Sequence, residues 1–175
     1  MRELSKLRRN GDSVQLTKIS VEKTKNPGDA RQVYRALAQA FEPFRQFYTK
    51  KAFEATILSP DLFEDRIVNS EEDVLVALFD GTIAGTASVK LQENSNLYLC
   101  SMGVKPEHQK KGIGFALLAE VEADAKRKQC KTISLETYPL LTKAIALYER
   151  FGFRRTGRTR DYHGVTIFEM KKDIE

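Results

Sequence analysis

A turn rich in glycine and lysine is the part of this sequence whose residue types and spacing most clearly suit chemistry. Gln109–Gly114 joins an extended apolar run to a run with helical periodicity. Free backbone N–H groups at a helix N-terminus attract phosphate, and glycine lets an anion approach the backbone closely. Gly112 and Gly114 give that access, and Lys110 and Lys111 add positive charge beside it. The turn is therefore predicted to suit a pyrophosphate.

Two other phosphate-binding motifs do not fit this turn. The dinucleotide fingerprint G-x-G-x-x-G/A fails, because Leu117 stands where glycine or alanine is required. The P-loop pattern also fails, because no Gly-Lys-Ser or Gly-Lys-Thr occurs in the chain. A structural alternative stays open, in which the glycines only permit close packing between a strand and a helix.

The elements that must position this turn follow from the hydrophobic periodicity, which predicts a mixed α/β fold. The predicted strands are Val14–Val21, Asp73–Phe79, Thr82–Leu91, Leu97–Val104, Thr132–Thr137 and Val165–Met170. The first predicted helix begins after Asp29. The others cover Thr49–Leu58, Pro60–Ile67, Gly112–Gln129 and Thr142–Phe151. Asp80-Gly81 predicts a hairpin, because both central positions of a type I′ turn need positive φ. An antiparallel meander thus leads into a strand–helix–strand–helix segment.

Length and composition predict one domain of ordinary size. The chain has 175 residues, of which 41% are hydrophobic and 30% charged, as in soluble globular proteins. We expect a loose basic tail over residues 1–13 and a single domain over residues 14–175. No apolar run approaches the roughly 20 residues that span a bilayer, and no apolar segment follows the basic N-terminus as in a secretory signal. We therefore expect a cytoplasmic protein without a membrane partner.

Charge, cysteine and histidine content exclude several function classes. The net charge is +5, but the basic residues are scattered and carry no interleaved aromatic platform, so a nucleic-acid partner is not favoured. Cys100 and Cys130 have neither the number nor the spacing of a disulfide framework or a zinc site, and we interpret both as packing residues. With only His108 and His163 besides, no metal site is predicted.

Two segments together resemble the GNAT superfamily of N-acetyltransferases. Gln109-x-x-Gly112-x-Gly114, followed by Phe115-Ala-Leu-Leu118, is similar to the family's coenzyme A signature. Ala144-Ile-Ala-Leu-Tyr-Glu-Arg-Phe-Gly-Phe153 is similar to its second segment. The resemblance extends over about Val74 to Lys172. It implies a GNAT acyltransferase fold, a central mixed sheet flanked by helices, in which the parallel strands Leu97–Val104 and Thr132–Thr137 splay apart.

The resemblance implies acetyl-CoA as cosubstrate. The pantetheine arm would bond to the backbone of Met102 and Val104, and the pyrophosphate would lie on the amides from Gln109 to Phe115. Relatives usually carry an asparagine shortly before the second segment, where this chain has Leu140-Leu141-Thr142. Thr142 either replaces that hydrogen-bonding group or only caps the helix. The residues assigned to the cosubstrate are Met102, Gly103, Val104, Gln109, Lys110, Lys111, Gly112, Ile113, Gly114, Phe115, Thr142 and Tyr148.

Two catalytic residues are implied as well. In the family, the tyrosine at the position of Tyr148 donates a proton to the departing thiolate; the alternative is an aromatic on the core face. Glu136 precedes Tyr148 by the spacing found in acetyltransferases that modify ribosomal-protein N-termini. We expect partial burial to raise the pKa of Glu136 towards that of a useful base, acting directly or through water. The alternative is an exposed acid at a strand end. The Met102 or Gly103 N–H would stabilise the oxyanion.

The resemblance therefore implies an N-acetyltransferase in which a primary amine attacks directly within a ternary complex. The acceptor is a protein N-terminus, a lysine, a polyamine or another small amine, and Glu136 favours a peptide N-terminus. Tyr162 and His163 lie in the Arg154–His163 segment, interpreted as a loop, and either line the acceptor site or belong to an ordinary surface. A non-catalytic acyl-CoA sensor or interaction module is the alternative function, and a homodimer is possible.

Overall fold

An eight-stranded mixed sheet organises the chain. The computed structural model describes residues 2–10, 13–69 and 72–175, with side chains from residue 18 onward in those ranges. Its strands are β1 (Arg2–Asn10), β2 (Ser13–Thr24), β3 (Glu72–Phe79), β4 (Thr82–Gln92), β5 (Asn96–Val104), β6 (Thr132–Thr137), β7 (Arg154–Tyr162) and β8 (Val165–Asp173). Their order in the sheet is β1-β2-β3-β4-β5-β6-β8-β7. Only the β5–β6 pair is parallel among these neighbours.

Helices cover both faces of the sheet. They are α1 (Ala30–Phe41), α2 (Lys50–Thr56), α3 (Pro60–Asn69), α4 (Ile113–Arg127) and α5 (Thr142–Arg150). On β3, Leu75 and Ala77 belong to the core beneath α4, whereas Val74 and Val76 belong to the core beneath α1 and α3. This strand is apolar throughout because both of its faces are buried. Within the described ranges, no helix has both the length and the apolar character needed to cross a membrane.

The predicted fold class is confirmed, and most predicted elements are present. The β3–β4 hairpin turns at Asp80 and Gly81, whose φ angles of +49° and +81° are those that the type I′ turn requires. The first predicted strand is β2, which extends beyond Val21 to Thr24. The parallel pair Leu97–Val104 and Thr132–Thr137 corresponds to β5 and β6. The sequence pattern therefore located the elements around the predicted turn.

Two segments differ from the prediction. Residues 2–10 form β1, where we expected a loose tail; only residues 1, 11 and 12 of that stretch lie outside the described ranges. The backbone N–H and C=O groups along the edge of β2 are a template for another strand, and β1 pairs with them. Arg154–Tyr162 forms β7 rather than a loop. Charged side chains on an edge strand remove the apolar alternation by which strands are recognised. The single domain over residues 14–175 stays a prediction.

The central parallel strands separate at a bulge in β5. Strands β5 and β6 pair from Asn96 opposite Thr132 to Leu99 opposite Leu135, and no further. Beyond Leu99, two residues of β5, Ser101 and Met102, lie opposite the single residue Ala87 of β4. Ser101 has a φ of +47°, in the left-handed region. A bulge bends its strand, and β5 accordingly leaves β6 while it stays bonded to β4.

The core beneath α3 should account for much of the stability of this half of the molecule. Phe63 is fully buried, whereas its neighbour Leu62 is 52% exposed. We expect Phe63→Ala to lower the free energy of unfolding by about 3–5 kcal/mol. The control Leu62→Ala, on the same helix, should change it by about 0.5 kcal/mol or less. Urea denaturation measures both, and equal losses would contradict this description of the core.

Candidate active site

The Gln109–Gly114 turn connects β5 to α4 as predicted, and its own side chains close it. The Lys105 N–H donates to the Ala84 carbonyl at 2.9 Å, which continues the β4–β5 ladder past the end of β5. The Gln109 Nε2 group then donates to the Val104 carbonyl at 3.2 Å. The Gln109 N–H donates to the Pro106 carbonyl at 3.2 Å. Gln109 therefore contributes to the shape of the turn, and the expectation that its amide is open to the pyrophosphate is wrong.

The amides of the turn point to an external acceptor. Ala116 is the first residue of α4 whose N–H bonds within the helix, to the Gly112 carbonyl at 3.0 Å. Within the described ranges, the N–H groups from Lys110 to Phe115 have no partner. Such amides, with the positive end of the helix dipole behind them, form an anion site. The turn therefore fits a pyrophosphate.

Geometry requires glycine at position 112 and favours it at position 114. Gly112 has a φ of +94°, which only glycine adopts without strain. A Cβ on Gly114 would lie 2.8 Å from Leu147 Cδ2 of α5, closer than real contacts allow. Gly114 thus permits α4 to approach α5, so the structural role and the anion-binding role of these residues coexist.

The two lysines of the turn differ. Lys110 is exposed. The Lys111 Nζ lies 4.6 Å from the centre of the Phe79 ring and 3.4 Å from His108 Nδ1. The imidazole of His108 packs against the same ring at 5.0 Å, and its pKa is lowered by burial and by Lys111. His108 is a packing residue, as expected, and Lys110 is the lysine left open to a ligand.

The separation of β5 from β6 opens a cleft of about 280 Å³. Met102 lines it, next to the bulge. Gly103 is covered from one side by α1, since a Cβ there would meet Leu37 Cδ2 at 3.0 Å and Ala40 Cβ at 3.1 Å. Because β5 has no partner on the β6 side after Leu99, its backbone can bond to an inserted chain.

Tyr148 of α5 reaches the cleft from the core. Its ring is 8% exposed and its hydroxyl donates to Met102 Sδ at 3.9 Å. Burial raises the pKa of Tyr148 to about 12, so the phenol is protonated at neutral pH. The sequence offered a core aromatic or a proton donor, and the geometry accommodates both.

Glu136 also lies in the cleft, but its pKa is not raised. The Arg160 Nε and Nη2 groups donate to its two oxygens at 2.6 and 2.5 Å, and the Tyr98 hydroxyl donates to Oε2 at 3.0 Å. The bonds from Arg160 lower the pKa of Glu136, against the opposing effect of burial. The expectation of a raised pKa is therefore wrong, because donors that favour the carboxylate outweigh the loss of water.

Three other residues named from the sequence take different places. Thr142 begins α5 and is exposed, and none of the described side chains caps that helix, so the capping alternative is wrong. Phe115 is exposed beside the turn, where its ring contacts that of Phe151 at 5.1 Å. Cys100 lines the cleft, and burial raises the pKa of its thiol to about 11. At neutral pH that thiol carries no nucleophilic thiolate.

The acceptor side of the cleft is only partly the one expected. Tyr162 lines it, and its ring lies 4.8 Å from that of His163. His163 itself is exposed, and its carbonyl accepts from the Thr49 hydroxyl at 2.6 Å, which ties this turn to the start of α2. The structure brings Tyr162 to the site and leaves the imidazole of His163 outside the lining.

Several residues of the cleft were missed by sequence reasoning. Arg66 of α3 pairs with Glu72 at 2.8 Å, and both residues line the cleft. Tyr48 and Tyr138 contact each other with ring centres 5.0 Å apart, and both line the cleft. These residues come from separate elements, and only the fold brings them together.

Comparison with known proteins is consistent with this geometry. The sequence profile described as the Acetyltransferase (GNAT) family matches residues 31–153. A [ribosomal protein bS18]-alanine N-acetyltransferase of Escherichia coli K12 is 34% identical over 68 residues, which are 39% of this chain and 46% of that protein. The chain thus spans less than half the length of this curated relative.

Solved structures share the fold. A GNAT-family acetyltransferase described as putative, from Desulfovibrio desulfuricans, superposes with a TM-score of 0.73 at 20% identity, covering 90% of this chain and 99% of that one. The PaiA N-acetyltransferase of Thermoplasma acidophilum, solved in complex with coenzyme A, gives 0.71 at 24% identity, covering 88% and 99%.

The turn should lose ligand affinity when Gly112 is replaced. In Gly112→Ala the added Cβ makes the left-handed conformation cost about 1–2 kcal/mol, so relaxation of the turn should weaken coenzyme A binding by about tenfold. Isothermal titration calorimetry measures this. Gly81→Ala is the matched control, because Gly81 also has positive φ but lies in the β3–β4 hairpin with open space around a Cβ. Equal losses in both variants would contradict the assignment.

Proposed function

The chain belongs to the Acetyltransferase (GNAT) family, and on that premise we propose that it transfers the acetyl group of acetyl-CoA to a primary amine. One observation carries the proposal. The Tyr148 hydroxyl lies 3.9 Å from Met102 Sδ, where β5 leaves β6, and the open amides of the turn come next along the same strand and helix. A proton donor, an unpaired strand and an anion site thus lie in sequence along one path.

Acetyl-CoA is proposed to lie along that path. The amides from Lys110 to Phe115 bind its pyrophosphate, with Lys110 adding charge. The backbone of Met102 and Val104 bonds to the pantetheine arm as an extra strand would. This order places the thioester beside Tyr148. The exposed Thr142, at the start of α5, is proposed to supply the polar contact that an asparagine makes in relatives.

The residues of the cleft can support each requirement of acetyl transfer. The amine lone pair forms the new C–N bond, and the Met102 or Gly103 N–H stabilises the charge that develops on the carbonyl oxygen. When the C–S bond breaks, the Tyr148 hydroxyl gives its proton to the sulfur. The proton lost by nitrogen leaves through Glu136 and water, and solvent restores the Tyr148 phenol. Counted from the neutral amine, the nitrogen thus loses one proton and the sulfur gains one. An acceptor that arrives as an ammonium first loses another proton to solvent through Glu136 and water.

The pKa shifts set the protonation states in which these two residues act. Tyr148, with a pKa of about 12, holds its proton at neutral pH and can hydrogen-bond the departing sulfur, although the raised pKa makes it a weaker acid than a phenol in water. Glu136 stays ionised, which suits a group that binds an ammonium and relays its proton through water. Direct attack by the amine is favoured over an acyl-enzyme, because burial keeps the Cys100 thiol protonated.

The acceptor is proposed to be a primary amine, with a peptide N-terminus as the first to test. The cleft offers Glu136 for the amine and aromatic rings from Tyr48, Tyr138 and Tyr162 for the residues next to that amine. By its name, the relative from Escherichia coli acetylates the alanine of ribosomal protein bS18. Lysine, polyamines and other small amines complete the panel.

Release of coenzyme A thiol tests the proposal. The purified chain would be mixed with acetyl-CoA and, separately, an alanine-initiated peptide, a lysine-containing peptide blocked at its N-terminus, spermidine and a simple alkylamine. Release that depends on one of these amines is the expected result, with the acetylated amine identified by mass spectrometry. Tight binding of acetyl-CoA without release would favour the sensor alternative.

Replacing the Tyr148 hydroxyl should separate chemistry from binding. Tyr148→Phe is expected to lower kcat by about 10²–10⁴, the range for loss of a general acid, with the Kd for coenzyme A nearly unchanged. Tyr34→Phe is the control, since Tyr34 packs against the core beneath α1 and is not part of the cleft lining. An unchanged kcat in Tyr148→Phe, measured by steady-state thiol release, would remove Tyr148 from the mechanism.

A further inference from the structure

Arg160 makes a contact that spans three strands of the sheet. It lies on β7 and Glu136 on β6, with β8 between them. The guanidinium donates to both carboxylate oxygens, from Nε to Oε1 at 2.6 Å and from Nη2 to Oε2 at 2.5 Å. Its charged centre also lies 5.2 Å from the centre of the Tyr162 ring. The arginine thus links the edge strand to the interior of the cleft.

Partial exposure to water limits what this ion pair contributes to folding. The Arg160 side chain is 48% exposed and that of Glu136 21% exposed, so solvent screens their attraction. The geometry, however, is bidentate, which fixes direction as well as charge. A strongly oriented pair of small energetic value within a cleft indicates a positioning role.

The bonds on Glu136 leave one place for a further donor. An ionised carboxylate has about four acceptor positions. Arg160 uses one on Oε1 and one on Oε2, and the Tyr98 hydroxyl uses the second on Oε2. The remaining position is on Oε1. A fixed carboxylate with one open acceptor position is a defined site for an ammonium or for the water that deprotonates it.

From this geometry we infer that Arg160 is a positioning residue, which holds Glu136 as an oriented carboxylate whose free Oε1 position receives the acceptor amine. The inference rests on the proposed function for the identity of the acceptor. Arg160 touches neither the acetyl group nor the amine, and it acts only through Glu136. Because Lys cannot reproduce a planar two-point grip, an arginine is needed here.

The other charged groups near Glu136 do not take over this task. From β8, Glu169 lies opposite Glu136, and its Oε2 accepts from the Thr156 hydroxyl at 2.7 Å. From β5, Tyr98 is neutral, since burial raises its pKa. Arg66, which also lines the cleft, pairs with Glu72. Among the described residues, Arg160 is the cation that hydrogen-bonds Glu136.

The direction of the pH effect can be derived from these contacts. The pKa of Glu136 is lowered in the native chain, so the carboxylate persists as pH falls. Without Arg160, burial still opposes ionisation, and the pKa of Glu136 should rise. The acidic limb of kcat/KM also contains the α-amino group of a peptide acceptor, which titrates at about pH 8, so the step due to Glu136 is the one at lower pH. That step should move to higher pH.

Two measurements on the full chain test the inference. The first is a carbon-13 NMR titration of glutamate carboxyls in the wild type and in Arg160→Gln, with the Glu136 signal assigned by Glu136→Gln. The expected result is a higher pKa for Glu136 in Arg160→Gln. The control Arg158→Gln, an exposed arginine of the same strand, should leave that pKa unchanged. No change in Arg160→Gln would overturn the inference, and this readout needs no acceptor.

The second measurement is the pH profile of kcat/KM, with an alanine-initiated peptide as the probe. Arg160→Gln should lose about ten- to a hundredfold, since displacing a positioned group by an ångström can cost about 10²-fold, with most of the change in KM. Arg160→Lys should recover part of the loss.

In a Glu136→Gln background, Arg160→Gln should have little further effect. An unshifted Glu136 step below the titration of the peptide amine, or additive losses in the double variant, would overturn the inference. A wild type that acetylates none of the four amines would overturn the proposed function, and with it the role of Glu136 in binding the acceptor. The NMR titration would still decide whether Arg160 holds the carboxylate of Glu136.

Discussion

The β-bulge at Ser101 and Met102 is the constraint on which the rest of the site depends. It places two residues of β5 opposite one of β4, and the strand turns away from β6 after Leu99. Without that separation, the backbone N–H and C=O groups of β5 would hydrogen-bond to β6, and no cleft would open. The conformation is held from two sides, by α1 against Gly103 and by a 3.4 Å hydrogen bond from Arg66 to Ser101.

The site combines two groups whose protonation states are set in opposite directions by their surroundings. Tyr148 is almost fully removed from water and has no charged partner among the described residues, so its pKa rises. Glu136 is also partly buried, but two bonds from Arg160 and one from Tyr98 favour its charged form. A proton donor and an anionic acceptor are thereby maintained in one cleft of about 280 Å³. Burial alone raises the pKa of Tyr148, whereas at Glu136 hydrogen bonding outweighs the effect of burial.

The sequence predicted well what local pattern and motif determine. The turn at Gln109–Gly114, the hairpin at Asp80-Gly81 and the parallel strands β5 and β6 were located because glycine positions and apolar periodicity report them directly. It did not predict β7, whose exposed charged residues carry no alternation, nor β1, where a tail was expected. The direction of the pKa of Glu136 was missed because it depends on Arg160, 24 residues away in the chain. Apart from Tyr162, the acceptor side of the cleft was missed for the same reason, as contacts between distant elements leave no local pattern.

In the proposed mechanism the thioester reacts where β5 leaves β6, next to Tyr148. A crystal structure of the chain with coenzyme A tests this most directly. We expect the pyrophosphate to lie on the amides of Lys110–Phe115. We expect the coenzyme sulfur to lie within about 3.5–4 Å of the Tyr148 hydroxyl, because a hydrogen bond to sulfur has about that length. A coenzyme bound elsewhere, or one whose sulfur lies far from Tyr148, would contradict it.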